Sequence, residues 1–266
     1  MTLWLERRKK MLWHNNFVQW RLAGDPPPQD RLPPDMDYRR SIKMTKHPTI
    51  RRVPLDSVVR DYGATFFTEA LARYVVRTNQ PGLSPAQLEQ EASHVILPFQ
   101  TVAAFQGSSS TQSMLMDIPP RKDKRRQIVP ARFDTVLVNE DGGGTTGVDG
   151  YRVAQVRIIF TLTSQATAAL FRTPGILPTH FAYVEWFTPF GQPEANHGLY
   201  KISRLIRNGE RLASIIDISD IRRSVHLIPK FGPVAPREWA SSTVLELCST
   251  FFVNSFSDRH AYLTII

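Results

Sequence analysis

The carboxylates, histidines and single thiol of this 266-residue chain are the side chains with the types for covalent or metal chemistry. The densest acidic group is Asp134, Glu140, Asp141 and Asp149. Converging on two ions ~4 Å apart, such a set would support phosphoryl transfer. Three of the four, however, fall in the glycine-rich stretch NEDGGGTTGVDG (139–150), where Asp serves turn geometry. The same stretch has the composition of a phosphate loop. Such a loop opens directly onto a helix and usually carries a Lys. Here both flanks are strand-like and no Lys is present, so a hairpin connection is expected.

The seven histidines are His14, His47, His94, His180, His197, His226 and His260, and none forms an HxH or HxxxH pair beside a carboxylate. His180 and His197 flank HFAYVEWF and could approach one another; ordinary polar or partly buried histidines are expected. Cys248 lies among apolar residues in VLELCSTFF and reads as a buried structural thiol. One cysteine excludes a disulfide framework and a cysteine-rich zinc site, and no GxSxG nucleophile elbow occurs. No catalytic, cofactor-binding or metal-binding residue is assigned, no cofactor is implied, and the chain is expected not to be an enzyme.

Two sets of residues could instead bind. Tyr151, Arg152, Arg157, Tyr183, Trp186, Tyr200, Lys201 and Arg204 interleave aromatic and basic types and could stack on single-stranded nucleic acid, although strand alternation sends about half of them into the core. Arg7, Arg8, Lys9, Lys10, Arg121, Lys122, Lys124, Arg125 and Arg126 could contact phosphates. Charge is unevenly placed. Residues 1–130 carry 20 Lys and Arg against 12 Asp and Glu, whereas residues 131–266 carry 13 against 12. Any polyanion contact is therefore expected in the first half, with a solvated basic surface as the plainer alternative.

At 42% apolar the chain can bury a core. No run approaches the ~18 apolar residues of a membrane span, and MTLWLERRKKML places charges where a signal peptide needs its apolar centre. An intracellular, reducing compartment is expected, with the nucleus among the candidates and no membrane partner.

The elements that must position these residues fall into five stretches. Residues 1–25 form a helical arm. At ~100° per residue, Trp4, Met11, Val18 and Leu22 share one face and Trp13, Phe17 and Trp20 the opposite one, which suits a protein partner or self-association. Residues 26–52 are a Pro-rich and basic linker. Residues 53–106 form a small helical unit: Pro54 opens a helix that Gly63 stops, a second helix runs from about Thr65 to Arg77, and Ser84, Pro85 and Gln87 supply the cap of a third. VILPFQTVAAF then reads as extended. Residues 107–130 form a flexible basic linker, with GSSSTQS ahead of the basic cluster. Residues 131–266 alternate Val, Ile, Phe and Tyr runs with turn clusters, the pattern of a small β barrel. The fold class is α+β.

Several blocks also carry a likeness. HPTIRRVPLDSVVRDYGATFFTEALARYVV, LPFQTVAAF, PARFDTVLVN, GYRVAQVRIIF, AYVEWFTPF, HGLYKISRL, IRRSVHLIPKFGPVAPREW and TVLELCSTFFVNSFSDRHAYLTI resemble, in order over roughly residues 10–266, the C-terminal region of fungal transposase-like proteins of the Plavaka type, related to the CACTA and KDZ groups. That family carries a ribonuclease-H-like Asp/Asp/Glu domain upstream of this region. The resemblance implies a transposon-derived fragment without the cutting machinery: a non-catalytic accessory or docking module contacting protein or nucleic acid. The alternative it leaves is part of an active transposase or nuclease whose catalytic domain lies outside this chain. Where the family continues with a basic-aromatic strand after LPF…F, this chain has GSSSTQS, and no family catalytic residue carries over. A weaker likeness in fold, through WFTPF, HGLYKISR and ISDIRRSVHLI, is to bromo-adjacent homology domains.

Overall fold

The computed structural model describes residues 47–105, 117–122, 126, 128, 129, 131–140, 142–144, 147–173, 177–207 and 209–257, with positions 14, 17, 18, 21, 44, 45, 261 and 265. The chain divides into two compact units, residues 1–39 and 40–266. In the first, His14, Phe17, Val18 and Arg21 are helical. Phe17 and Val18, one from each expected stripe, are both half-buried. Trp4, Met11, Trp13, Trp20 and Leu22 lie outside the described residues, as do Arg7, Arg8, Lys9 and Lys10.

The second unit begins with β1 (Ile50–Pro54) leading into α1 (Leu55–Tyr62). Pro54 sits in the N-cap position, and Gly63 ends α1 with φ 69°, its N–H donating to Val58 O. That left-handed stop is one glycine adopts without a Cβ penalty. α2 (Phe67–Asn79) follows, then α3 (Pro85–Ser93), where Ser84 and Gln87 form the expected capping box. Next come β2 (Thr101–Phe105), β3 (Asp117–Ile118), β4 (Arg121–Lys122), β5 (Ile128–Val129), β6 (Arg132–Phe133), β7 (Thr135–Asn139) and β8 (Tyr151–Thr161). The remaining elements are α4 (Ser164–Leu170), β9 (Phe181–Trp186), β10 (Lys201–Ser203), β11 (Ile206–Arg207), β12 (Glu210–Arg211), β13 (Ala213–Asp217), β14 (Ile221–Ser224), β15 (Leu227–Pro229), α5 (Val244–Leu247) and β16 (Thr250–Val253).

The α+β class stands, but among the described residues the sheets are open and no barrel closes. β8 is the long central strand of a seven-stranded antiparallel sheet. One of its edges is shared: β7 pairs with Tyr151–Gln155, and β2 with Ile159–Thr161. β9 runs along the other edge. Outside these lie β1 on β2, β14 on β7 and β13 on β9, and these outer strands do not pair with one another. β10, β16 and β15 form a separate three-stranded sheet. A barrel would require the strands after residue 131 to close on each other. Instead β8 takes part of its pairing from β2, well upstream, and the last strands pair among themselves. In the stretch read as a linker, β3 pairs with β6 just beyond it, and β4 pairs with β5, placing Arg121 and Lys122 in a short hairpin.

A bulge in β8 decides what faces what. Val156 pairs with Val184 and Ile158 with Tyr183, so Arg157 is the extra residue. Before it, Ala154 and Val156 pack in one core with Val136, Val184 and Trp186; after it, Ile159 joins that core. On the opposite face, Tyr151 and Val153 pack against the small sheet through Phe187, Ile202, Phe251 and Val253. Past the bulge, Ile158 and Phe160 pack there beneath α1 and α2, against Val58, Phe67 and Leu71. Inserting one residue switches the side-chain phase of a strand. The unbroken buried run of this strand therefore serves three cores rather than one.

Phe160 is fully buried, with its ring 4.9 Å from Phe67 and 5.6 Å from Phe181. Because helices and sheet share this core, Phe160→Ala should destabilise by about 3–5 kcal/mol and lower the helical and tertiary signals in one transition. Denaturant unfolding followed by far-UV circular dichroism and tryptophan fluorescence checks it. Two separated midpoints would show that the helices form an independent unit.

Candidate functional site

Between those two cores, on the same face of the sheet, the strands place charge. β9 presents Phe181 and Tyr183 to the helical core and Phe187 follows it in the small-sheet core, with Glu185 between them. β8 presents Gln155 and the bulged Arg157 at the same level, and Gln155 is the cross-strand partner of Glu185. Glu185 is 4% exposed, Arg157 5% and Arg204 8%.

Three guanidinium groups meet two carboxylates here. Arg157 Nη2 donates to Glu185 Oε2 at 2.8 Å, and its Nη1 lies 2.8 Å from Glu246 Oε1. Arg211 Nη1 donates to Glu185 Oε2 at 3.0 Å and to Glu246 Oε2 at 2.6 Å. Arg204 Nη1 stands farther off, 3.6 Å from Glu185 Oε2. Arg204 Nη2 donates to Gln155 Oε1 at 2.5 Å and to the Leu245 carbonyl. Aromatic faces cover the cations: Phe187 lies 4.6 Å from the Arg204 guanidinium carbon and Phe133 5.0 Å from that of Arg157. Arg157 Nε, Arg204 Nε and Arg204 Nη1 are buried without a hydrogen-bond partner.

The electrostatic consequences differ from group to group. Burial disfavours the charged form of Arg157, but Glu185 and Glu246 outweigh it and its pKa is raised. Arg204 is lowered to about 10, by burial first and by the like charge of Arg211 next. Burial pushes the Glu246 carboxyl up, yet hydrogen bonds and charge from Arg157 and Arg211 hold it at about 2. Burial also raises the Tyr183 hydroxyl.

Above this cluster opens a cleft of about 1120 Å³. Gln155, Arg157, Glu185 and Arg211 form its floor. Its walls come from the end of α1 with Phe66, from β6, and from the segment Ser241–Glu246. Arg60, paired with Asp61 at 2.8 Å, also lines it, with Arg132, Asp134 and Glu210.

The residues singled out in the sequence are dispersed. The glycine-rich stretch is the β7–β8 connection, as expected. A Cβ at Gly143 would overlap the Tyr151 ring, so only glycine fits beneath it. Asp134 lines the cleft, Glu140 pairs with Arg152 at 3.3 Å, and Asp149 is exposed in the hairpin. Asp141 lies outside the described residues. Among the described residues, no group of three or more His, Cys, Asp or Glu side chains could hold a metal ion. His180 packs on Phe105 and His197 on Phe252, in different sheets. Cys248 is buried, its thiol donating to Thr250 O at 2.9 Å.

Of the aromatic and basic set, Tyr151, Arg152, Arg157, Tyr183, Trp186 and Arg204 are all buried and offer no stacking platform. Alternation underestimated their burial because β8 is covered on both faces. Arg126 is exposed with φ 61°. The side chains of Arg121 and Lys122, and Lys124 and Arg125 altogether, lie outside the described residues.

The cluster itself went unread apart from Arg157 and Arg204, which stood among the stacking candidates. Its signal was local: a Glu inside the apolar strand AYVEWF and an Arg inside VAQVRIIF, each too costly to bury unless they meet.

Because Glu246 is held below its ordinary value of 4.5, its pairing stabilises the fold fully above that value and ceases to do so as the pH falls toward about 2. Glu246→Gln should therefore melt below the parent at pH 7, and the gap should close on acidification across that window. Glu185→Gln leaves three guanidinium groups around a neutral amide and should cost about 3–5 kcal/mol. Thermal melts across pH check both; a pH-independent gap for Glu246→Gln would contradict the pairing.

No helix among the described residues is long and apolar enough to cross a membrane. No family model, no curated protein and no solved structure matches the chain.

Proposed function

We propose that this chain is a non-catalytic docking module of a transposon-derived protein, holding a segment of protein or nucleic acid in the cleft above the Arg157–Glu185 cluster. The observation that supports this is the state of the floor. Glu185 in the floor and Glu246 in the wall beside it are both bound to guanidinium groups, and Glu246 is held at about 2. A general acid or base works best with a pKa near the working pH. What the floor offers instead is fixed charge and rigid donors, which is recognition chemistry.

The transposon-derived origin rests on sequence resemblance. Arg157, Glu185, Arg204 and Glu246 all fall within the resembling blocks, in GYRVAQVRIIF, AYVEWFTPF, HGLYKISRL and TVLELCSTFF respectively. A nuclear setting follows from that origin. Contact with nucleic acid outside the cleft is assigned to Arg7, Arg8, Lys9 and Lys10 and to the basic cluster Arg121, Lys122, Lys124, Arg125 and Arg126.

Two measurements test the reading. Supercoiled DNA incubated with the purified chain and Mg²⁺ or Mn²⁺ should stay intact. Metal-dependent nicking that disappears in Asp134→Ala or Asp149→Ala would favour an active nuclease instead. Single-stranded DNA should bind weakly and with strong salt dependence, and replacing Arg121, Lys122, Lys124, Arg125 and Arg126 by Ser should flatten the log–log salt slope by up to about 3.5 units. An unchanged slope would move the contact elsewhere.

A further inference from the structure

We propose that the connection between β15 and β16 is a hinged cover on the cleft, held shut by the Glu246 carboxylate. The inference goes beyond docking, because it concerns how the cleft opens, whatever enters it. β15 and β16 are antiparallel neighbours, with Pro229 opposite Phe251. Strands paired in this way are usually joined by about two to five residues. Here the connection takes up residues 230–249, and the four-residue α5 is its only regular element. Connections longer than ~12–15 residues are usually functional, lids among them. Ser241, Ser242, Leu245 and Glu246 are the part of this one that lines the cleft.

The connection is tied at its base and within itself. Lys230 N donates to Thr250 O at 2.9 Å and holds the two ends together. Thr243 Oγ1 donates to Glu238 O at 3.0 Å and accepts from Ala240 N at 3.0 Å, and Cys248 N donates to Val244 O at 2.9 Å. The span between the ends can therefore move as one body. No residue from Phe231 to Leu247 is buried. Trp239, Val244 and Leu245 rest half-buried on the small-sheet core.

Partial apolar contact of that kind leaves position loosely defined, and charge fixes it. Glu246 reaches Arg157 at 2.8 Å and Arg211 at 2.6 Å, and the Leu245 carbonyl accepts from Arg204. Lifting the span would break these bonds together and leave three guanidinium groups beside Glu185 alone. Bonds lost as a set make a latch with a shut and an open state, a local opening rather than gradual fraying. Glu246 and Arg211 are partly exposed, so salt reaches the latch, whereas the Arg157–Glu185 pair beneath is shielded.

The chain carries its own reporter. Cys248, the single cysteine, is buried in the core on which Trp239, Val244 and Leu245 rest, so lifting them uncovers its thiol. The full chain is labelled with a soluble aromatic disulfide at constant pH, in urea concentrations below the unfolding transition. Labelling should depend on urea much less steeply than global unfolding does, because opening exposes only the area under the span. Glu246→Gln should speed labelling about tenfold or more and keep the shallow urea dependence. About 1 M NaCl should speed the parent several-fold and leave Glu246→Gln nearly unmoved. Val234→Ala, on the exposed side of the span, should change nothing. Hydrogen exchange at the amides of 243–248 should rise with NaCl while that of β8 and β9 stays constant.

Labelling as steep in urea as global unfolding would overturn the proposal, since the connection would then open only with the whole fold. Equal labelling rates for the parent and Glu246→Gln would remove the latch. Both measurements are made without a ligand, so failure of the docking reading would leave them unchanged, and their failure would leave docking in a permanently open cleft.

Discussion

The structure depends on the burial of one carboxylate, Glu185, beneath three arginines. An isolated ionised carboxylate cannot be taken out of water at tolerable cost, and neither can an isolated guanidinium. Each needs the others in place. Glu185 comes from β9, Arg157 from β8, Arg211 from β12 and Arg204 from beside β10. The apolar cores on either side supply most of the stability through area removed from water. They are nevertheless tolerant of small shifts, because packing of this kind is not directional. The charged belt between them is directional. It fixes how the small sheet meets the helical end of the large one, since a slip of one residue would leave buried charge unpaired.

The same belt explains why the cleft sits where it does. Two apolar cores on one face of a sheet would ordinarily merge. Here they are held apart by side chains that need polar partners, and the gap opens to solvent above them. The walls come from three distant stretches: the end of α1, β6 and the segment leading into α5. The floor side chains Gln155, Arg157 and Glu185 stand on β8 and β9, and Arg211 on β12. A binding site whose fixed charges stand on strands and whose walls are loops combines rigidity with room for variation.

Much of the local structure was legible beforehand. Pro54, Gly63 and the Ser84/Gln87 cap each act through backbone chemistry within a few residues, and the helices begin and end close to where those residues place them. The β7–β8 hairpin was equally readable, because glycine-rich turns between apolar runs have few alternatives. Strand partners were not. Period-two reasoning assumes one buried face per strand, whereas every residue of β8 from Tyr151 to Phe160 is buried. Nothing in VAQVRIIF says that Arg157 is a bulge, since a bulge is defined only by the partner strand. For the same reason β2 could not be assigned to the edge that β7 leaves free, and the strands looked ready to close into a barrel. The charged cluster fell between these two kinds of knowledge: its members stood out as anomalies, but only tertiary geometry brings them together.

The divided edge of β8 has a kinetic side. Its pairing with β7 closes across a single turn, Glu140 to Gly150. Its pairing with β2 must bring Phe105 to Ile159 across a much longer stretch of chain. The entropy of closing a loop grows with its length, and non-local pairings slow folding. The β7–β8 hairpin is thus the cheap first event and the β2 contact the expensive later one. Until β2 arrives, the C-terminal half of β8 exposes an unpaired edge of Ile159, Phe160 and Thr161. The helices α1 and α2, whose side chains cover Phe160, lie between β1 and β2 in sequence. A nascent chain would pass through a stage with this apolar edge open, the point at which aggregation competes with completion of the sheet.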